Sequence, residues 1–297
     1  MSGRSVRKGE WLEVRFAAAP ADGQTRDAAS LGVPDKLLRK LRQTGGCLEE
    51  ERLVRLRLFP EEEAGFSAEW ADVDVLHEDD FCLVANKPAG MPVHPSAPGQ
   101  THTLANAVSA HYEATGQACR VRHIHRLDDQ TSGPVLYAKN ELAQLVLDEA
   151  MRAKAIVRTY AAVAAGKFAA VRGTVDAAIG RDRHHAGKRR VSESGDPAVT
   201  HYEVVEQFRE AALLRVRLET GRTHQIRVHM SHIGHPLLGD PLYGAAPDRR
   251  LGPTMDRQAL HGESLGFAHP WTRETIRVES PLPADLAALL GSLRQKK

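Results

Sequence analysis

Three stretches in the middle of the chain read as β-strands in hairpin-like order: IVRTYAAVAAG at 156–166, VTHYEVVEQF at 199–208 and AALLRVRLETG at 211–221. Strands that follow one another in this way pair antiparallel, and a doubly wound parallel sheet would need a helix after every strand. Helical patterns do occur, but irregularly. HTLANAVSAHYEATG (102–116) spaces Leu104, Val108 and Tyr112 on one helical face and closes at Gly116. Asn140 is a good N-cap for ELAQLVLDEAMRAK, which follows the strand PVLYAKN. HQIRVHMSHIG (224–234) reads as a helix with Thr223 as its N-cap and Gly234 as its stop. The fold class is therefore α+β, a mixed and largely antiparallel sheet with flanking helices. With 297 residues, 42% of them hydrophobic, the chain is long enough for one large domain with a small one attached. It has no internal repeat and no low-complexity tract.

The attached unit lies at the N-terminus. VPDKLLRKLRQTGG (33–46) is a short amphipathic helix with Leu37, Leu38 and Leu41 on one face and Lys36, Arg39, Lys40 and Arg42 on the rest. RLVRLRLF (52–59) alternates apolar and basic residues like a half-buried strand. The expected division is a disordered segment over 1–10, a small module over 11–62, a linker over 63–72 and the main domain over 73–297.

Composition excludes several classes. Forty Lys and Arg stand against 38 Asp and Glu, a formal charge of +2, so any basic surface must come from local segregation, as in GRDRHHAGKRR (180–190). Cys47, Cys82 and Cys119 are widely spaced, which argues against a disulfide framework or a thiolate zinc site and suits a reducing cytoplasm. The N-terminus has no apolar signal region, and no stretch approaches the length of a membrane span. A cytoplasmic monomer is the expectation.

Two polar stretches invite a chemical reading. HIHRLDDQTSG (123–133) carries two acids at the end of a strand, where scaffolded sites lie. An ordinary tight turn uses the same residues, and on this stretch alone the turn accounts for them. ETGRTHQIRVHMSHIGHPLLGDPLYG (219–244) places Arg222 and Arg227 around a helix start that favours an anion. His224, His229, His232 and His235 suggest a metal, but the acid or thiolate context of a zinc site is missing, so no metal is expected.

Taken together, HRLDDQTSGPVLYAKN, VRTYAAVAAG, LETGRTHQIRVHMSHIGHPLLGDPLYG and ALHGESLGFAHPWT resemble the RluA family of RNA pseudouridine synthases, in the family's order and spacing over about residues 73–287. The resemblance implies an isomerase that converts uridine in structured ribosomal or transfer RNA to pseudouridine, without cofactor or metal. It places the family's single essential acid on Asp128 and leaves Asp129 as a turn residue. A carboxylate suits the reaction because positive charge develops at C1′ as the base departs, as in glycoside hydrolysis. Arg227 matches the arginine paired with that acid; removing it from a fully buried pair would cost ~3–5 kcal/mol. Tyr160 matches the active-site tyrosine, whose ring can stack on uracil and whose hydroxyl can move a proton at C5. Arg126 matches the arginine that fills the space left by a flipped-out uridine. Lys87, Pro88 and Asp240 are expected to be structural, Asp240 as a turn residue.

The N-terminal helix resembles the recognition helix of the alpha-L module that many members carry. The hairpin expected after it, usually centred on Asn-Gly, has no such signal here, so the module reads as truncated. The competing class is a non-catalytic RNA-binding or ribosome-assembly factor with the same fold, against which the intact Asp128, Tyr160 and Arg227 set speaks.

Overall fold

The computed structural model describes residues 3–17, 27–244 and 255–295. The N-terminal module is a four-stranded antiparallel sheet of β1 (Gly3–Lys8), β2 (Trp11–Phe16), β3 (Cys47–Glu49) and β4 (Leu53–Leu56), in the order β1-β2-β4-β3. Helix α1 (Asp35–Gln43) buries Leu37, Leu38 and Leu41, as its spacing requires. Two expectations fail here. Residues 3–8, expected to be disordered, pair along their length with β2, and Trp271 Nε1 donates to Ser5 Oγ at 3.0 Å. The hairpin read as missing is present: β3 and β4 are antiparallel neighbours, turned by Glu50, Glu51 and Arg52 rather than by Asn-Gly.

The module does not hang from a free linker. Leu12, Val14, Leu37, Leu38, Leu41, Val54 and Leu56 share one apolar cluster with Phe81, Val84, Leu136, Leu142, Phe267 and Trp271 of the main domain. Residues 57–73 form no helix or strand, yet they are strapped across α2 (Leu104–Ala114). Asn106 Nδ2 donates to Ser67 O at 2.9 Å and Ser109 Oγ to Phe66 O at 2.9 Å. Part of the basic face of α1 is already neutralised inside the molecule, Arg42 by Asp27 and Glu49, and Lys40 by Glu141.

The main domain is built from two antiparallel sheets. A four-stranded sheet has the order β5 (Asp74–Glu78), β6 (Cys82–Lys87), β8 (Gly133–Ala138), β7 (Arg122–His123). A six-stranded sheet has the order β10 (Arg172–Asp176), β13 (Val199–Gln207), β14 (Ala211–Leu218), β9 (Val157–Ala165), β15 (Leu260–Ala268), β16 (Thr275–Glu279). A two-stranded ribbon, β11 (Ile179–Arg181) and β12 (Arg189–Val191), forms a separate small sheet that has a basic tip and packs through Ile179 and Val191 against Val228. Helices α3 (Glu141–Arg152), α4 (Gln225–His232) and α5 (Ala284–Gln295) flank the sheets, and Asn140 Oδ1 caps α3 by accepting from Ala143 N at 2.8 Å. The two large sheets meet where Gly262 N donates to Ser132 O at 2.7 Å. Apolar residues of both sheets, among them Leu83, Val135, Tyr137, Ala162, Leu214 and Val216, form one continuous core at this junction. The fold is the α+β, largely antiparallel one that the strand order implies.

Candidate active site

The loop from Ile124 to Ser132 runs between β7 and β8, over the seam of the two sheets. It is fixed from below by Lys87, which is 1% exposed and donates to Pro88 O (2.8 Å), Met91 O (2.7 Å) and Asp129 O (2.9 Å). Burial draws the Lys87 pKa down to about 7, opposed by the charges of Asp129 and Asp128. Three carbonyl acceptors are fully served only by the ammonium form, since a neutral amine has two N–H bonds. The loop also closes on itself, with Thr131 N donating to Asp128 O at 2.9 Å. Asp128 turns its carboxylate into a cavity of about 270 Å³ whose lining includes Arg126, Tyr160, His224, Arg227 and Leu260. Asp129 is exposed, as a turn residue should be.

The other residues singled out by the sequence converge on the same cavity. Tyr160 lies on β9 in the middle of the six-stranded sheet, opposite Val216 on one side and Gly262 on the other. Burial raises its pKa, the charge of Arg158 opposes the rise and that of Asp128 adds to it, so the hydroxyl is neutral at physiological pH. Arg227, on the inner face of α4 and 4% exposed, donates from Nη1 to Asp128 Oδ2 at 3.1 Å. Arg126 is exposed at the rim. Near its charge lie His94 and His123, stacked with ring centroids 4.5 Å apart; burial lowers the pKa of both, followed by Arg126 for His94 and by His94 and then Arg126 for His123.

The start of α4 differs from expectation. The N-cap is His224, at φ +59°, and Thr223 does not cap the helix. Gln225 takes over the stabilisation of the turn: Oε1 accepts from Thr220 Oγ1 (2.7 Å) and Arg222 N (3.0 Å), and Nε2 donates to Val199 O (3.0 Å). The left-handed residue swings the His224 ring over the cavity, with Nε2 3.9 Å from Asp128 Oδ2 and Nδ1 2.9 Å from Tyr243 Oη. Arg222, expected to share an anion with Arg227, donates instead to Pro197 O at 3.1 Å. Among the described residues of this segment, His229 and His235 are turned to separate partners. His229 is held by Thr200 Oγ1 and Ala177 O, and His235 by Ala165 O.

One participant is absent from the expected set. Asp240 is no simple turn residue: its side chain is wholly buried, and it takes Arg227 in a fork, Nε to Oδ2 at 2.7 Å and Nη2 to Oδ1 at 2.9 Å. Burial works against its ionisation, but Arg227 and the N–H groups of Leu242 and Tyr243 outweigh it and hold the carboxyl below its ordinary range. The only sequence signal was a lone acid in an otherwise apolar turn, PLLGDPLYG.

Arg227, buried, thus meets the half-buried Asp128 beside Tyr160, in a cleft with Arg126 at its rim. Comparison with known proteins gives the class. The family model described as RNA pseudouridylate synthase matches residues 81–232. An uncharacterized RNA pseudouridine synthase of Bacillus subtilis (strain 168), YhcT, is 45% identical over 238 residues, 80% of this chain and 77% of that one. The ribosomal large subunit pseudouridine synthase D of Pseudomonas aeruginosa is 42% identical over 257 residues, covering 82% and 79%. Among solved structures, human RNA pseudouridylate synthase domain containing 4 superposes with a TM-score of 0.62 at 26% identity, over 74% of this chain and 92% of that one. The chain belongs to the RNA pseudouridylate synthase family and is an isomerase acting on RNA.

Proposed function

We propose that the protein isomerises uridines of ribosomal large-subunit RNA, with Asp128 as the catalytic carboxylate, Arg227 as its counter-ion, Tyr160 as the proton-handling ring beneath the base, and Arg126 as the residue that replaces the flipped nucleotide. The observation that carries this reading is the Asp128–Arg227 pair at 3.1 Å, opening on a cavity lined by Tyr160. A carboxylate beside a buried guanidinium suits a reaction in which positive charge develops at C1′. The N1–C1′ bond breaks, the freed uracil turns, a C5–C1′ bond forms, C5 gives up its proton and N1 gains one. The atoms balance within the nucleotide, so no redox partner or external group is called for. Asp128 serves by attacking C1′, by attacking the ring, or by removing the 2′ proton.

The RNA face is the rim around this cavity. The ribbon β11–β12 carries Arg181, Arg183, Lys188, Arg189 and Arg190, and Arg189 N donates to Tyr243 Oη at 2.7 Å, which ties the ribbon to the site. Such a cluster supplies phosphate contacts whose strength falls steeply with salt. The choice of large-subunit RNA rests on relatives that carry that name, and transfer RNA is the alternative outcome of the test. Among the described residues no helix is long and apolar enough to cross a membrane, and the three cysteines are free, which supports a reducing cytoplasm. The N-terminal module, with Lys36 and Arg39 outside the ion pairs that neutralise Lys40 and Arg42, adds to RNA binding in this reading.

The test is carbodiimide mapping of pseudouridine in total RNA from cells with the wild-type protein, without it, and with Asp128→Asn. A large-subunit position modified only with wild type establishes substrate and acid together. A wild-type-dependent site in transfer RNA overturns the substrate. Three identical maps overturn the reading altogether.

A further inference from the structure

We propose that Asp240 is a positioning residue for the isomerisation: it occupies the fork of Arg227 so that the arginine meets Asp128 with a single nitrogen. The inference rests on the function just given for Asp128. An arginine facing one carboxylate in a desolvated cleft tends to bind it in a fork, with two parallel N–H bonds. Here that fork is taken. Nε and Nη2 of Arg227 both go to Asp240, and only Nη1 reaches Asp128, at Oδ2. Oδ1 of Asp128 therefore lies outside the pair and is open to the substrate.

The position of Asp240 is over-determined, as a positioning group requires. Its Oδ1 also accepts from Leu242 N (2.9 Å) and Tyr243 N (3.0 Å), and its carbonyl accepts from Gly244 N (3.0 Å). The preceding Gly239 has φ +69°, and a Cβ there would lie 2.2 Å from Arg257 O, so the turn has no room for another residue. The guanidinium is further confined by the Tyr243 ring, 5.1 Å from its carbon.

Charge gives the arrangement its chemical meaning. One cation sits between two carboxylates, so the trio is a net anion. Asp128 is held in place without being fully neutralised, which keeps it strong as a nucleophile or base. Replacing Asp240 by Asn keeps the shape and removes one charge. The whole of the Arg227 charge then falls on Asp128, making it a weaker base whose protonation moves to lower pH. The other groups facing Asp128 are unchanged by the substitution: His224 on α4, Lys87 beneath the loop, Tyr160 on β9, Tyr243 in the turn, and Asp129 and Arg126 on its own loop.

The experiment is a single-turnover assay with enzyme in saturating excess over transcribed large-subunit RNA labelled with tritium at C5 of uridine, followed by tritium release from pH 4.5 to 8. Under these conditions the plateau rate constant does not depend on the fraction of protein that is folded. Asp240→Asn is expected to lower that constant at least about tenfold, to shift its acid limb downward, and to leave RNA affinity within about twofold. An unchanged rate constant and limb, with only the reaction amplitude reduced, would reduce Asp240 to a structural role and overturn the proposal. Should Asp240→Asn not fold, the limb is read with Asp240→Glu, whose retained charge must leave it where wild type has it; a shift there overturns the proposal equally. Wild type releasing no tritium from this RNA would instead overturn the substrate assignment.

Discussion

Gly133 lies against Gly262 with no room between them: a Cβ on Gly133 would stand 2.6 Å from Gly262 Cα and 2.7 Å from its nitrogen. Gly133 also has φ +129°. This is the point where the loop that carries Asp128 enters β8 and the two large sheets touch, so the final Gly of QTSG is required by packing. Gly133→Ala combines backbone strain with a backbone clash and is expected to cost about 2–5 kcal/mol. Gly262→Ala meets Pro134 Cδ at 3.0 Å and Gly133 Cα at 3.4 Å, a milder approach, and should cost less. Urea unfolding of the two variants checks the order. Equal stabilities would mean that the seam gives way more easily than its geometry allows.

Tyr160→Phe keeps the ring in the cavity and removes only the hydroxyl. If that hydroxyl moves the C5 proton, turnover should fall by about 10²–10⁴-fold with little change in RNA affinity. Because the tyrosine is buried and neutral, no alkaline limb from its ionisation should appear near physiological pH. Measuring kcat and KM together separates this from a stacking role, which Phe would preserve.

Arg126 is exposed at the rim of the cavity. Arg126→Ala should slow extrusion of the target base, and Arg126→Lys should restore a phosphate contact without the planar stacking surface. Fluorescence of 2-aminopurine placed beside the target uridine reports the extrusion directly. Equal rescue by Lys would show that a charge, and not a stacked plane, is what the site needs.

The candidate site was legible through the resemblance, because the residues that carry it sit in contiguous motifs. HRLD puts Asp128 in the loop after a strand, HQIR puts Arg227 in the first turn of a helix, and VRTY puts Tyr160 on a buried strand. What was illegible depends on segments that return in space. Asp240 reads as a turn residue until the turn is seen folded back onto Arg227, 13 positions earlier in the chain. His224 as a left-handed cap, in place of Thr223, follows from Gln225 satisfying the turn, which no capping preference contains. The β3–β4 hairpin was hidden because acids form its turn, and Glu49 is held inside the molecule by Arg42 and by Ala28 N.

The same loop carries a titration that should set the acid tolerance of the fold. His125 is 7% exposed, and its Nε2 accepts from Leu136 N at 3.2 Å, so the neutral ring carries its proton on Nδ1. Burial, with Arg158 and His123 adding to it, pushes its pKa down to about 3. In the unfolded chain the ring titrates near its ordinary ~6.5. Between these two values the unfolded state binds the extra proton, so stability present above about pH 6.5 is lost as the pH falls toward 3. By pH 5 the loss from this one group amounts to about 2 kcal/mol. His125→Gln places an amide oxygen near the Nε2 position to accept from Leu136 N and does not titrate. The variant should therefore lose less stability than wild type between pH 7 and pH 5, even if it starts lower. Parallel urea titrations at the two pH values decide it: equal losses would mean that His125 already protonates in the folded state.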